Sequence, residues 1–160
     1  MNDCKEILLE DIVEVSFYLA SNVNCSVPFG VPGVNEMTGT ISGDPVLTIS
    51  VTANDDADAV METPTLKVSE KREAAGLLRS HDLQINVEQG FDAVKQAADG
   101  LSGADIAAVL KDYDGNCYII HALPNSTLYS YEDGRGSSHT GKVKFTAQSL
   151  SHLVKLTVNA

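Results

Sequence analysis

The sequence predicts a mainly β protein of the α+β class, with an antiparallel β-sandwich or barrel of about eight strands and one short flanking helix. Three observations lead to this class. Apolar and polar residues alternate in several short segments, one segment alone has helical spacing, and two apolar runs are separated by an Asp-Gly dipeptide. At 160 residues the chain is expected to form a single domain, residues 1–160, around one core.

The predicted strands follow the alternation of apolar and polar residues. This alternation is strictest in residues 81–88, and Gly90 ends that strand. Six other segments are predicted as strands on the same basis: residues 13–19, 46–52, 65–69, 128–131, 143–148 and 150–158. Residues 21–33 are predicted as an extended loop, and residues 132–141 as a long polar loop. Residues 69–79 are predicted as either a helical turn or an exposed loop.

One helix is predicted directly after Gly90. Apolar residues recur there at helical spacing, in a segment rich in Ala, Lys and Gln. The residues at this spacing are Phe91, Val94, Ala97 or Ala98, and Leu101. Gly100 is placed as the C-terminal stop of the helix.

A β-hairpin is predicted around residues 113–116, which read Tyr-Asp-Gly-Asn. The turn lies between two apolar runs, residues 106–110 and 117–123. A two-residue turn requires positive φ angles, which Asp and Gly tolerate best. The surrounding stretch, residues 81–132, therefore reads as strand, helix, hairpin and strand, and the rest of the chain is expected to be arranged around it.

Composition limits the classes of partner. The net charge of −11 argues against phosphate neutralisation, which requires clustered Lys and Arg, so no sequence-specific binding to nucleic acid is expected. No apolar run approaches the roughly 20 residues of a membrane span, and the polar start lacks the pattern of a secretory signal. We therefore expect a cytoplasmic location and no membrane partner. The three cysteines, Cys4, Cys25 and Cys117, are widely spaced and fit reduced thiols.

Two segments partly match ligand-binding motifs. Residues 136–143 match the phosphate-binding pattern G-x-x-x-x-G-K, but Val143 stands where a hydroxyl should contact magnesium. Residues 112–116 resemble the opening of an EF-hand loop, but Cys117 and Leu123 replace the required Gly and bidentate Glu. A hairpin loop and a hairpin turn are the preferred interpretations, with a cation at residues 112–116 as an open alternative.

No catalytic, cofactor-binding or metal-binding residues are predicted, and the chain is expected not to be an enzyme. Cys117 and His121 would lie about 13 Å apart on a strand, too far to share one metal ion. The remaining histidines are scattered in sequence, and no local motif arranges a Ser, His and Asp for catalysis. Asp55, Asp56 and Asp58 are interpreted as a solvated acidic loop, with cation binding as the alternative. Asn125, Ser126 and Thr127 have the formal pattern of an N-glycosylation site and are interpreted as a turn.

The C-terminal half of the chain resembles the tube subunits of phage tails and related contractile injection machines. The resemblance rests on the order of elements from His81 onward: strand, short helix, a hairpin at Asp114-Gly115, a Leu-Pro-Asn bend at 123–125, and a long loop before the strand at 143–147. It implies a small β-barrel or sandwich whose copies assemble into rings that stack into a tube. The implied partners are further copies of the chain and other tail proteins.

The expected function is therefore that of a non-enzymatic, self-assembling structural protein of a phage-like particle, a tail tube or related tail component. The acidic charge suits this role, because an acidic lumen does not retain the phosphates of passing DNA. The alternative is a monomeric β-sandwich that binds a carbohydrate or a protein, although the absence of Trp counts against sugar binding. A small hydrolase or metal enzyme is a third hypothesis, with only scattered His and Cys in its favour.

Overall fold

The computed structural model describes residues 6–7, 12–25, 36–52, 58–62, 64–73, 76–101, 105–113, 115–120, 126–133, 141–149 and 154–158. These residues form thirteen strands, one α-helix and one short 3-10 turn at Ala20–Asn22. The predicted mainly β class with a single short helix is confirmed.

The elements are numbered in chain order. The strands are β1 Glu6–Ile7, β2 Ile12–Leu19, β3 Val23–Cys25, β4 Glu36–Ile41, β5 Leu47–Ser50, β6 Ala59–Met61, β7 Thr65–Glu73, β8 Gly76–Gln89, β9 Ile106–Asp112, β10 Cys117–Ile119, β11 Leu128–Asp133, β12 Gly141–Ser149 and β13 Val154–Val158. The helix, α1, is Phe91–Leu101 and lies between β8 and β9 in the chain.

All thirteen strands join one sheet, and the described strands do not close into a barrel. The main path runs β1-β7-β8-β6-β5-β2-β9-β10-β13-β4-β3. The long strand β8 has β7 and then β6 along one edge and β12 along the other, and β11 pairs with β12. Two pairs, β5 with β6 and β4 with β13, are parallel. The sheet is thus mixed and open, with more strands than predicted.

The alternation in residues 81–88 marks the two faces of β8. Leu83, Ile85 and Val87 are buried, whereas Gln84 and Asn86 are exposed. Successive side chains of a strand point to opposite faces, so one face of β8 lies on the core and the other meets solvent. The strand prediction for this segment is confirmed.

Phe17 is at the centre of the main core. Its side chain is fully buried, and its ring centroid lies 5.5 Å from that of Tyr129 in β11 and 5.5 Å from that of Phe145 in β12. β2 is distant from β11 and β12 in the order of the sheet. The sheet therefore curls until its two halves face each other, which gives the sandwich-like packing expected of a mainly β chain.

β9 is buried on both of its faces. Ile106, Ala108 and Leu110 belong to the main core, whereas Ala107 and Val109 belong to a second hydrophobic cluster. The other members of the second cluster come from β3, β4, β10 and β13: Val23, Met37, Ile119, Val154 and Leu156. A strand between two cores has no polar face, and this explains the continuous apolar run in residues 106–110.

Helix α1 packs on the main core through the face that its sequence predicts. Its buried residues are Phe91, Val94, Ala97 and Leu101. The helix continues through Gly100, so the predicted stop at this glycine is wrong by one residue. Leu101 is 1% exposed, and its burial in the core holds the last turn in helical geometry.

Residues 69–73 and 76–79, the described part of the segment predicted as a helical turn or loop, form strand instead. β7 and β8 pair throughout this segment, with Glu70 directly opposite Arg79 and the two side chains 3.0 Å apart in a salt bridge. The partners of β12 on β8 end at Arg79, so residues 71–73 and 76–78 continue as a two-stranded ribbon among the described strands. Cross-strand pairing within this ribbon outweighs the weak local pattern of the sequence.

Four short strands were not predicted, and the first of them, β1, pairs with β7. β3 lies within the predicted loop at residues 21–33, of which residues 26–33 are outside the described part of the chain. β4 and β6 have few large apolar residues, and each is held by a parallel neighbour, β13 and β5, respectively. Parallel pairing joins segments that are distant in sequence, so a local pattern of residues does not predict it.

Tyr129 makes the stability of the fold sensitive to alkaline pH. Its hydroxyl donates a hydrogen bond to the Val94 carbonyl at 2.9 Å, and burial, followed by the charge of Tyr131, raises its pKa well above the ordinary value of 10.0. The folded state therefore keeps this proton at a pH where the unfolded chain loses it. The contribution of Tyr129 to stability is fully present below pH 10 and is lost progressively above it.

We expect the free energy of unfolding to fall by about 1 kcal/mol between pH 10 and pH 11 through this residue. Urea unfolding at both pH values measures the effect. The Tyr129→Phe variant, which has no proton to lose at this position, should show a correspondingly smaller fall. An equal fall in the two proteins would contradict the assignment.

Candidate functional site

The predicted hairpin forms, with a loop of three residues rather than two. The Asp112 N–H donates to the Asn116 carbonyl at 2.9 Å, and the Gly115 N–H donates to the Asp112 carbonyl at 3.1 Å. Gly115 has a φ of 91°, which an L side chain rarely adopts. The Asp-Gly sequence therefore indicated the hairpin correctly, and Gly115 adopts the positive φ that the turn requires.

The carboxylate of Asp112 stabilises the same turn. It accepts hydrogen bonds from the Asn116 backbone N–H at 2.8 Å and from its side-chain amide at 3.3 Å. This arrangement accounts for the EF-hand-like start of residues 112–116 through turn geometry. Within the described residues, no three or more His, Cys, Asp or Glu side chains are grouped so that they could hold a metal ion.

The other sequence motifs are described only in part. Residues 141–143 of the phosphate-binding pattern begin strand β12, whereas the pattern requires a helix at this point. His81 is fully buried in β8. Several residues considered above lie outside the described residues: Cys4, Asp55, Asp56, His121, Leu123, Asn125, His139 and His152. No described helix has the length and apolar character that crossing a bilayer requires.

A polar cleft of about 470 Å³ opens over β2 and β5. β2 contributes every second residue, on the face opposite Val15 and Phe17, and the remaining walls come from β5 and from the segments before β5 and β6. The polar residues that line the cleft are Glu14, Ser16, Tyr18, Asp44, Thr48 and Asp58. Three of these side chains are carboxylates, which suits a polar or cationic ligand.

The hydrogen bonds of the cleft hold its walls together. The hydroxyls of Ser16 and Thr48 are 3.3 Å apart. Asp58 accepts a hydrogen bond from the Thr48 N–H at 2.9 Å through its side chain, and its own N–H donates to the Thr48 carbonyl at 2.8 Å. These bonds fix the start of the parallel β5–β6 pair. Among the described residues that line the cleft there is no histidine, cysteine or lysine.

Two ionisable groups near the cleft are held in their neutral forms. Burial, and then the negative charge of Glu14, raises the pKa of the Tyr18 phenol. Burial also raises the pKa of the Cys117 thiol, against the opposing effect of Lys111. A raised thiol pKa lowers the thiolate fraction of Cys117 at neutral pH.

A second candidate surface is the outer edge of β11, which we call the β11 edge. Among the described strands β11 pairs with β12 alone. Two of its apolar residues are exposed: Leu128 is 61% exposed and Tyr131 is 38% exposed. An exposed edge strand of six residues without proline or lysine is a ready template for pairing with another strand.

The hydrogen bonds of Ser126 show which backbone groups the β11 edge presents. The Ser126 hydroxyl donates to the Gln148 carbonyl at 3.2 Å and accepts from the Gln148 N–H at 3.3 Å, so Gln148 points its backbone groups toward the β11 side. The β11–β12 pairing has no register shift. The backbone N–H and C=O groups of the even-numbered residues of β11 therefore bond to β12. The backbone groups that point outward, away from β12, are those of Tyr129, Tyr131 and Asp133.

Neither surface was identified from the sequence. Ser16 and Thr48 belong to alternating strands whose polar residues were assigned to solvent, and only the tertiary fold places Asp58 beside them. For β11, the sequence did contain a signal, since Leu128 and Tyr131 lie on opposite faces of the strand and therefore place apolar side chains on both faces.

The fold and its surfaces define a small β protein with one open, curled sheet, an acidic cleft and an exposed edge strand. No protein-family model, curated protein or solved structure matches the chain.

Proposed function

We propose that this chain is a non-enzymatic, self-assembling structural protein of a phage-like particle, a tail tube or related tail component. The observation that carries the proposal is the β11 edge. An open sheet edge with exposed apolar side chains satisfies its hydrogen bonds and covers its apolar surface when another chain pairs with it. Further copies of the chain, arranged in a ring or tube, and other tail proteins are the proposed partners.

Two other features support self-assembly. The β7–β8 ribbon extends beyond the last partner of β12, and such a projection can reach a neighbouring subunit. The net charge of −11 suits a surface along which nucleic acid passes without sticking. The same charge makes separate copies repel one another, so association should depend on ionic strength.

The acidic cleft favours a second candidate function, a monomeric module that binds a polar ligand. The cleft has the volume for a small ligand and offers hydroxyls, a phenol and carboxylates as hydrogen-bonding groups. A carbohydrate or a basic side chain of a protein partner would use these groups. The second function gives no role to the exposed apolar edge of β11, and for this reason we rank ligand binding after self-assembly.

Light scattering coupled to size-exclusion chromatography of the untagged protein tests the proposal. We expect particles many times heavier than the 17.0 kDa chain, with a mass that rises with protein concentration. Their mass should also rise when salt increases from about 0.05 M to about 0.5 M, because screening reduces repulsion between acidic copies. Negative-stain images of the leading peak should show rings or tubes.

A monomer of 17.0 kDa at every concentration and salt level would overturn self-assembly. Calorimetric titration of that monomer with oligosaccharides and basic peptides would then test the second function. In that case the Glu14→Gln and Asp44→Asn changes should weaken binding of a basic peptide, whereas Glu88→Gln, an exposed change on β8, should not.

A further inference from the structure

We propose that two copies of the chain join through their β11 edges, antiparallel and about a two-fold axis that passes beside Ser130. This contact rests on the self-assembly proposed above and names the surface that carries it. It makes one continuous sheet from two, and a ring or tube then requires a second, different contact between such pairs.

The direction of pairing follows from charge. Glu132 and Asp133 both lie at the C-terminal end of β11. A parallel arrangement would place these acidic residues beside those of the second copy, and like charges on adjacent strands destabilise a sheet. An antiparallel arrangement places them at opposite ends of the contact.

The outward-pointing backbone groups limit the register to one half of the possibilities. Tyr129, Tyr131 and Asp133 present their N–H and C=O groups at the edge, so an odd-numbered residue must face an odd-numbered residue of the second copy. Pairing Tyr129 with Tyr131 of the second copy meets this condition. Ser130 then faces Ser130 of the second copy, in a pair without hydrogen bonds between the two backbones.

This register also covers the exposed apolar side chains. Leu128 comes to lie opposite Glu132 of the second copy, where the methylene groups of the glutamate can pack on it. Within its own chain the Glu132 carboxylate also forms an exposed salt bridge with the Lys144 ammonium at 3.1 Å. On the other face, Tyr131, whose ring lies 5.8 Å from that of Phe91, gains Tyr129 of the second copy as a neighbour.

A disulfide across the two-fold axis tests the contact. Directly opposed residues in a pair without hydrogen bonds have Cα atoms about 4.5 Å apart, within the range that a disulfide can bridge. The Ser130→Cys variant, oxidised with oxidised glutathione, should therefore give a covalent dimer on a non-reducing gel, in at least about tenfold greater yield than wild type. Wild type controls for the three native cysteines.

Gln84→Cys is the matched control. Gln84 is exposed on the same face as Ser130 but lies in β8, between β7 and β12, where no edge is available. It should give no more dimer than wild type. A cross-link from Tyr131→Cys in place of Ser130→Cys would mean that the strands pair in another register, and this would overturn the proposed axis.

An independent variant removes one hydrogen-bond donor from the edge. Asp133→Pro eliminates an outward N–H and leaves the ladder to β12 intact, as proline is tolerated on the solvent side of an edge strand. We expect at least a tenfold weaker self-association by light scattering, with unchanged circular dichroism. If wild type assembles while Ser130→Cys gives no cross-link and Asp133→Pro assembles normally, the β11 contact is wrong and self-assembly stands. If wild type stays monomeric, both proposals fall.

Discussion

Replacement of Phe17 by Ala is expected to lower the free energy of unfolding by about 3 to 5 kcal/mol. Phe17 has no exposed surface, and its ring packs against Tyr129 and Phe145 from the facing half of the sheet. Truncation would leave a cavity where the two halves meet, and the curled sheet cannot collapse into it without shifting β2. The loss is a large fraction of the roughly 5 to 15 kcal/mol that stabilises a typical domain.

Urea unfolding followed by circular dichroism measures this loss. Tyr113→Ala is the control, because Tyr113 is 82% exposed in the hairpin loop and its truncation should change stability by no more than about 0.5 kcal/mol. A loss below about 1 kcal/mol for Phe17→Ala would mean that the two halves of the sheet do not pack on each other through this residue.

Replacement of Gly90 by Ala is expected to cost about 2 to 5 kcal/mol, for two reasons that add together. Gly90 has a φ of 79°, and a Cβ atom at this position would lie 2.7 Å from the Asp58 carbonyl oxygen and 3.1 Å from the Ala59 Cα. Both contacts are with backbone, which cannot move without displacing β6. The change would therefore disturb the connection from β8 to α1 and the adjacent wall of the cleft together.

Gly115→Ala separates strain from crowding. Gly115 has a φ of 91°, but a Cβ atom at this position would have no neighbouring atom within 4 Å, so its replacement should cost only the conformational penalty of about 1 to 2 kcal/mol. The difference between the two variants in urea unfolding is the cost of crowding at Gly90. Equal losses would show that β6 yields freely, contrary to the close approach described above.

The open sheet connects these stability effects to the proposed function. Single-chain β proteins commonly protect an edge strand with lysine, proline or a bulge. β11 has none of these, its acidic residues Glu132 and Asp133 lie only at its C-terminal end, and Leu128 and Tyr131 are exposed. An edge of this kind promotes aggregation of a monomeric protein, whereas an assembling subunit uses it to pair with a neighbour. The cross-linking experiment decides whether β11 forms a specific contact between two copies.

The sequence by itself determined the elements whose cause is local. Residues 81–88 alternate strictly because one face of β8 is buried and the other is wet, and α1 buries the four residues that its spacing predicts. The β9–β10 hairpin follows from Gly115, which reaches a positive φ without a steric penalty. These features depend on periodicity and turn chemistry, which act between near neighbours in the chain.

Only the tertiary structure decided the features that depend on distant pairing. The ribbon at residues 69–73 and 76–79 forms because β7 and β8 align, and β4 and β6 are each held between two strands, one parallel and one antiparallel. The cleft likewise arises where Asp58 meets Thr48 across the β5–β6 pair. Hydrogen bonds between strands distant in sequence supply the stabilisation in each case, and a local pattern of residues does not specify which strands will meet.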